Sequence, residues 1–277
     1  MSMNSLKYAL KNKTFIIGAI MVITVVFIAV FADVIAPYSY EELNVANILK
    51  APSAKHIFGT DHIGRDIFSR VVYGSRIALK VAIIAVTIQS VIGIGLGLLA
   101  GYKGESINKI INFITYLTLS LPGIVLAMAI IAVIGPSLNS VIIALSLVNW
   151  AALSRVVSIK TMAVKDMPYI EAARAFGESD LSIVLRYILP NISSVIIVLV
   201  SMSLPAAISI TTGLSFLGMG SQPPSPDWGA MISEGINYIV AAPWVPIVPG
   251  FALAYTVLGF NLLGEGLRDL LDPTLKV

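Results

Sequence analysis

No aspartate, glutamate, lysine or arginine occurs between Lys109 and Arg155, and so long an uncharged apolar stretch is suited to lipid rather than water. A bilayer core of about 30 Å is crossed by roughly 20 apolar helical residues, so this interval holds two crossings. Gly135-Pro136 divides them, because proline cannot donate to a helical ladder and glycine accepts turn geometry. The same criterion finds four further spans, at about Phe15 to Val34, Val81 to Ala100, Ile192 to Thr212 and Val245 to Leu263. Inside a bilayer each backbone polar group must be satisfied within the protein. The expected fold class is therefore an all-α membrane protein with six transmembrane helices, the fifth containing Pro205 as a candidate kink. With 57% apolar and 12% charged residues, most of the chain lies in lipid, and its 277 residues are not read as two soluble domains.

The first span follows Lys7, Lys11 and Lys13. A cleaved signal peptide ending at Val30-Phe31-Ala32 is the competing reading. The apolar run from Phe15 to Phe31 exceeds the usual signal core, which favours an uncleaved anchor. Positive charge is retained on the cytoplasmic side during insertion. Placing the N-terminus inside puts twelve basic residues in inside segments and five, Lys50, Lys55, Arg65, Arg70 and Arg76, in the first external segment. Six spans then return the C-terminus to the cytoplasm. Trp228 and Trp244 fall near the outer end of the sixth span, where indole rings favour the interface.

Several functions are excluded at this stage. Without cysteine there is no disulfide, thiolate metal site or cysteine nucleophile. A net charge of +3 without a basic, aromatic-interleaved stripe implies no nucleic-acid partner. Gly93, Gly95, Gly97 and Gly101 lie inside an apolar span, where close helix packing explains them better than a phosphate loop, and Gly97 and Gly101 have small-xxx-small spacing. No G-x-x-x-x-G-K-[ST] sequence occurs. Both histidines, His56 and His62, lie in the external segment, away from any intramembrane nucleophile, and they lack a recognised metal-ligand spacing. Span centres carry no charge, which points away from ion coupling. Gln89, Asn149, Ser201, Ser203, Ser209, Thr211 and Asn261 are the neutral polar residues available to line a route or to bond between helices. No catalytic, cofactor-binding or metal-ligating residue is assigned.

The most informative stretch is Glu171 to Pro190, a charged, glycine-hinged segment between the fourth and fifth spans. Pro168 suits a first helical turn, Asp166 a cap or the positive helix end, and Gly177 the left-handed residue that closes a helix. Tyr169, Ala172, Ala173 and Phe176 share one face at helical spacing, with Glu171 and Arg174 on another. A second helix is expected from about Asp180 to Leu189, stopping at Pro190. Such a helix-turn-helix can enter a groove on a partner or lie on lipid headgroups, and the physics alone leaves both open.

Glu171-Ala172-Ala173, Gly177 after three intervening residues, and Leu189-Pro190 resemble the EAA motif of permease subunits in ATP-binding-cassette importers. Tyr187 departs from the usual isoleucine, with Ile188 beside it. Two further stretches resemble the C-type permease of the dipeptide, oligopeptide and nickel branch. One is the GTD-x-x-GRD-x-x-SR signature, with Gly59, Thr60, Asp61, Gly64, Arg65, Asp66, Ser69 and Arg70. The other is the tail with Leu214 to Gly220, Pro226 to Gly229 and Leu267 to Pro273. The resemblance implies the type I ABC importer permease fold and a loop at about 160–191 that docks into a cleft of an ATPase subunit. Glu171, Ala172, Ala173, Arg174, Phe176, Gly177, Leu189 and Pro190 are its candidate coupling residues. It also implies a B-type permease partner in a heterodimer, two ABC ATPase subunits that bind ATP and Mg, and an extracytoplasmic solute-binding protein, all at the cell membrane. No cofactor is implied on this chain. The division is residues 1–75, a transmembrane helix with its external segment, and 76–277, a five-helix permease core. The external signature is read as a local charge network of Asp61, Arg65, Asp66 and Arg70, with contact to the binding protein as the functional alternative. Di- or oligopeptides are the expected cargo. Nickel or a metal chelate competes within the family, and a stand-alone carrier or channel is the reading from a different class.

Overall fold

The computed structural model describes residues 12–271. Lys7, Lys11 and Lys276 of the charge argument, and Asp272-Pro273 of the tail motif, lie outside the described residues. Within them the regular structure is helical, apart from a single bridge between Thr60 and Asp66. Helix α1 runs Lys13–Val30, α2 Ala32–Ile35, α3 Ile67–Tyr102, α4 Glu105–Ser120, α5 Gly123–Ile134 and α6 Leu138–Lys165. Then come α7 Pro168–Ala175, α8 Asp180–Ile183, α9 Leu189–Phe216, α10 Trp228–Ile236 and α11 Trp244–Leu271. Five uninterrupted helical stretches are long and apolar enough to cross a bilayer, and the α4–α5 pair brings the number to six when its two bent halves are counted as one span.

Three differences from the expected spans have local causes. The third crossing is not straight. It breaks at Leu121-Pro122, where α4 and α5 meet at 91°, because Pro122 has no N–H and holds Leu121 in extended backbone. The helix that contains the second crossing begins at Ile67, well before Val81, since the Asp66 carboxylate accepts the Ser69 N–H and caps it. Ser69, Arg70 and Arg76 are thus helical. The helix expected to stop at Pro190 instead continues into α9, giving one helical run from Asp180 to Phe216. A π-turn over Val184–Ile188 absorbs the proline. The Leu189 N–H bonds to the Val184 carbonyl, shifting the ladder just before the missing Pro190 donor. Pro205 lies within α9, which stays helical through it.

The central contact is α3 against α6. Gly93, Gly97 and Gly101, one turn apart, lie under the carbonyls of Trp150, Ser154 and Ser158, also one turn apart. A β-carbon at these glycines would sit 2.8, 2.7 and 2.6 Å from those oxygens. Small residues let the backbones meet where lipid gives little hydrophobic drive for helix association. Gly95, turned away, has nothing within 4 Å. One apolar cluster, including Val81, Ala85, Leu145 and Ile208, fills the middle of the bundle. A second joins Leu98, Leu153, Val157, Ile170, Ile183, Ile188 and Ile192 at one end. A third packs Ile67, Trp228, Met231 and Val245 at the other.

Helix α1 packs along α11. The Asn12 side chain accepts the Phe15 N–H and donates to Asp269 at 3.0 Å, so the two ends of the described chain meet. Arg76 joins α3 to the end of α1 by donating to the Ala29 and Val30 carbonyls and to Asp33. Trp228 is buried in the protein at 4% exposure and donates to the Val71 carbonyl. It is therefore a packing residue, whereas the sequence placed it at a lipid interface.

Candidate functional site

Helix α7 begins with Pro168 at its first position, where a missing N–H costs no helical bond. Asp166 ends α6 and Met167 takes the N-cap position without a side-chain bond, so the expected cap is not the aspartate. Glu171 supplies the negative charge of the first turn. The helix closes as the sequence predicts. Gly177 has φ +83°, its N–H bonds to Arg174 O at 3.0 Å, and the Glu178 N–H reaches back to Ala173 O at 3.1 Å. This paired closure needs a left-handed residue at position 177.

The expected single apolar face divides in two. Ile170 and Ala173 point inward and join Ile183, Ile188 and Val157. Tyr169, Ala172 and Phe176 face outward, Phe176 at 90% exposure, with Met167 beside them. Glu171, Arg174 and Gly177 are also exposed. Leu189 is half-buried and Pro190 exposed at the head of α9. The Arg174 guanidinium lies 5.5 Å from the Tyr102 ring centroid. Tyr102 and Lys103 both donate to Asp180, at 2.8 and 2.6 Å. That hydrogen bond holds the Lys103 ammonium above its ordinary pKa. Tyr102, Lys103 and Asp180, which the sequence reading did not single out, thus tie the segment to the end of α3.

At the opposite end, every side chain of the external signature turns inward. Gly59, Thr60, Asp61, Gly64, Arg65, Asp66, Ser69 and Arg70 are all buried. Arg65 donates from Nε to Asp61 at 2.6 Å and from Nη2 to Glu234 at 2.8 Å. Arg70 donates to the Tyr40 and Pro224 carbonyls. Asp61 Oδ1 accepts the N–H groups of Ile63 and Arg65. Asp66 accepts the Ser69 N–H and hydroxyl and faces His56 Nδ1 at 2.9 Å. Thr60 is wedged between the Asn47 carbonyl and the Lys50 N–H. The charge network is present, and Glu234 on α10 is the member the sequence did not suggest.

Asp61, His62 and Glu234 bring donor atoms within 4.8 Å of one another. Arg65 already spans both carboxylates, so a cation there would compete with a buried guanidinium. His62 stacks on Tyr238 while His56 engages Asp66, so the two histidines have different partners. Nearby, Asp227 caps α10 by accepting from Gly229 and Ala230, and it also accepts the Ser215 hydroxyl. Burial pushes its carboxyl pKa up, against the pull of those donors.

Among the neutral polar residues of the spans, Gln89, Asn149 and Ser203 line one cavity. Ser201 and Ser209 bond back to Ile197 O and Pro205 O on their own helix. Thr211 is buried, and Asn261 is exposed.

Comparison with known proteins matches residues 93–277 to the family described as binding-protein-dependent transport system inner membrane component. Residues 5–52 match the N-terminal TM domain of oligopeptide transport permease C. The dipeptide transport system permease protein DppC of Alkalihalophilus pseudofirmus is 44% identical over 96% of this chain and 88% of its own. The glutathione transport system permease protein GsiD of Pectobacterium atrosepticum is 41% identical over 96% of this chain and 89% of its own. Among solved structures, a chain of the MetNI methionine ABC transporter in an inward-facing conformation superposes with a TM-score of 0.60 at 18% identity. That match covers 73% of this chain and 96% of the other, and it establishes the likeness of fold.

Proposed function

Because the chain belongs to the family of binding-protein-dependent transport system inner membrane components, we propose that it is the C-type permease subunit of an ATP-driven importer, forming half of a translocation pathway for di- or oligopeptides. It is a multi-pass protein of the inner membrane. Its dipeptide and glutathione permease relatives support the peptide cargo. Its partners in this reading are a B-type permease, two ATPase subunits carrying ATP and Mg, and an extracytoplasmic solute-binding protein. This chain performs no hydrolysis itself. The meeting of Asn12 with Asp269 supports placing both termini on one side, the cytoplasmic one. The separate matches over residues 5–52 and 93–277 support an N-terminal unit of about residues 1–75 and a core of 76–277.

The division of faces on α7 carries the coupling role. Ile170 and Ala173 fix the helix to the cluster that continues through Ile183 and Ile188 into α9. Tyr169, Ala172 and Phe176 are left free for an ATPase cleft. Closure of the ATPases would push on this outward face, and the continuous run from Asp180 to Phe216 would carry the movement into the bundle, a rocking of packed helices. The external signature serves this machine by holding the loop, α3 and α10 as one body.

The test is Gly177→Val in the reconstituted complex. No atom crowds this position, so the defect would come from backbone strain at φ +83°, which a β-branched residue resists and asparagine tolerates. Uptake per ATP hydrolysed is expected to fall in Gly177→Val and to survive largely in Gly177→Asn, with membrane insertion intact in both. Unchanged coupling in the valine variant would remove the docking role.

A further inference from the structure

Three helices contribute to a cavity of about 310 Å³. Gln89 comes from the middle of α3, Asn149 from the middle of α6 and Ser203 from the middle of α9. The remaining wall is apolar, with Ala152, Leu153, Leu199, Met202 and Ile210 among its residues, and no charged side chain lines it. All three polar residues therefore stand near mid-membrane depth, where transporters commonly hold their solutes.

One atom in this wall is unexplained by the fold. Gln89 is 2% exposed and its Oε1 accepts no hydrogen bond. An unmet amide oxygen in an apolar, water-poor setting is costly, and a hydrocarbon tail filling the cavity would leave it unmet. Ser203 does not answer it, because its hydroxyl is turned to the Leu199 carbonyl. Gln89 belongs to the cavity wall, so rotation of its carboxamide presents this acceptor to an N–H donor that has entered. Asn149 adds a second carboxamide, offering both donor and acceptor.

We propose that Gln89 and Asn149 form a neutral carboxamide station at which this chain hydrogen-bonds the main-chain amides of a peptide in transit. Two carboxamides complement a peptide bond without reading side-chain charge, which suits a path whose selectivity lies elsewhere. The inference rests on the importer reading above and extends it to named residues of the path.

The complete importer, reconstituted in vesicles, tests this with labelled dialanine, trialanine and glutathione as probes. Gln89→Leu is expected to lower uptake per ATP hydrolysed roughly tenfold, the worth of one well-made hydrogen bond, and Gln89→Asn to retain part of it. The chain has no cysteine, so Asn149→Cys provides a single thiol here whose folding does not depend on Gln89. Its reaction with a small cationic methanethiosulfonate should slow at saturating peptide, while Ala51→Cys, exposed in the external segment, should not respond. Wild-type coupling in Gln89→Leu overturns the inference and leaves the importer reading standing. So does an Asn149→Cys rate unmoved by peptide in a transporting complex. A rate that changes only on assembly with the second permease assigns the cavity to subunit packing and overturns it equally. A wild-type complex that imports none of the three probes removes the peptide cargo, and the inference with it.

Discussion

Gly97 on α3 passes so close to Ser154 on α6 that a β-carbon on the glycine would lie 2.7 Å from the serine carbonyl oxygen. The neighbouring obstruction is backbone, which cannot rotate away, so the two helices must part for any larger residue. Gly97→Ala should cost about 1–3 kcal/mol, the usual range for overpacking. Gly95→Ala, on the same helix with open space around it, should be near neutral. Thermal inactivation of the detergent-solubilised complex compares the two, and equal losses would contradict the close-packed seam.

Arg65 is the only described partner placed to compensate both Asp61 and Glu234 by direct salt bridges. Removing the guanidinium leaves buried Asp61 with the more distant Arg70 Nε at 3.8 Å and takes from Glu234 the ion pair it makes at 2.8 Å. Arg65→Leu should destabilise the external end by about 3–5 kcal/mol. Arg65→Lys should recover only part, because one ammonium lacks the fork that reaches two carboxylates. Limited proteolysis of the loop between α2 and α3 reads this directly.

Ile170 and Phe176 lie on the same short helix with opposite surroundings, 0% and 90% exposed. Ile170→Ala should cost about 2–5 kcal/mol by opening a cavity and loosen α7 on its support. Phe176→Ala should leave the isolated permease as stable as before while weakening ATPase association, measured by co-purification. Loss of stability in the phenylalanine variant would place that ring in the fold rather than at an interface.

Asp227 gives the pH dependence its sign. Burial raises its folded-state pKa above the ordinary carboxylate range, so the protonated form is favoured by folding. Its contribution is fully present below the unfolded value and is lost as pH rises through the folded one. Asp227→Asn, whose side-chain oxygen still caps α10, should abolish that part of the pH profile and keep the external end folded at high pH. Melting curves across pH for both proteins decide it, and parallel profiles would count against the buried carboxyl.

Much of this architecture was legible before any coordinates. Uncharged runs located the crossings, Gly135 marked a turn, where it takes φ +102°, and Gly177 marked the end of α7. These signals are local, since a residue's own backbone preferences and a bilayer's thickness suffice to read them. A local rule makes Pro190 a terminator, whereas a π-turn carries the helix onward, and uncharged length alone gives no sign of the break at Leu121-Pro122 between α4 and α5. Whether a proline ends, bends or merely perturbs a helix depends on how the surrounding ladder is satisfied.

The sequence by itself determined a membrane protein of helical spans, the spacing of its EAA-like segment and the absence of a phosphate-binding loop, because hydropathy, turn chemistry and motif order are properties of neighbouring residues. Only the tertiary structure decided which way each side chain faces. It turned Ala173 inward and Phe176 outward from what reads as one apolar stripe. It also gave Arg65 a partner far along the chain in Glu234, and gathered Gln89, Asn149 and Ser203 around one cavity. Those outcomes depend on which helices meet and at what depth, and periodicity within one segment carries no record of the surface packed against it.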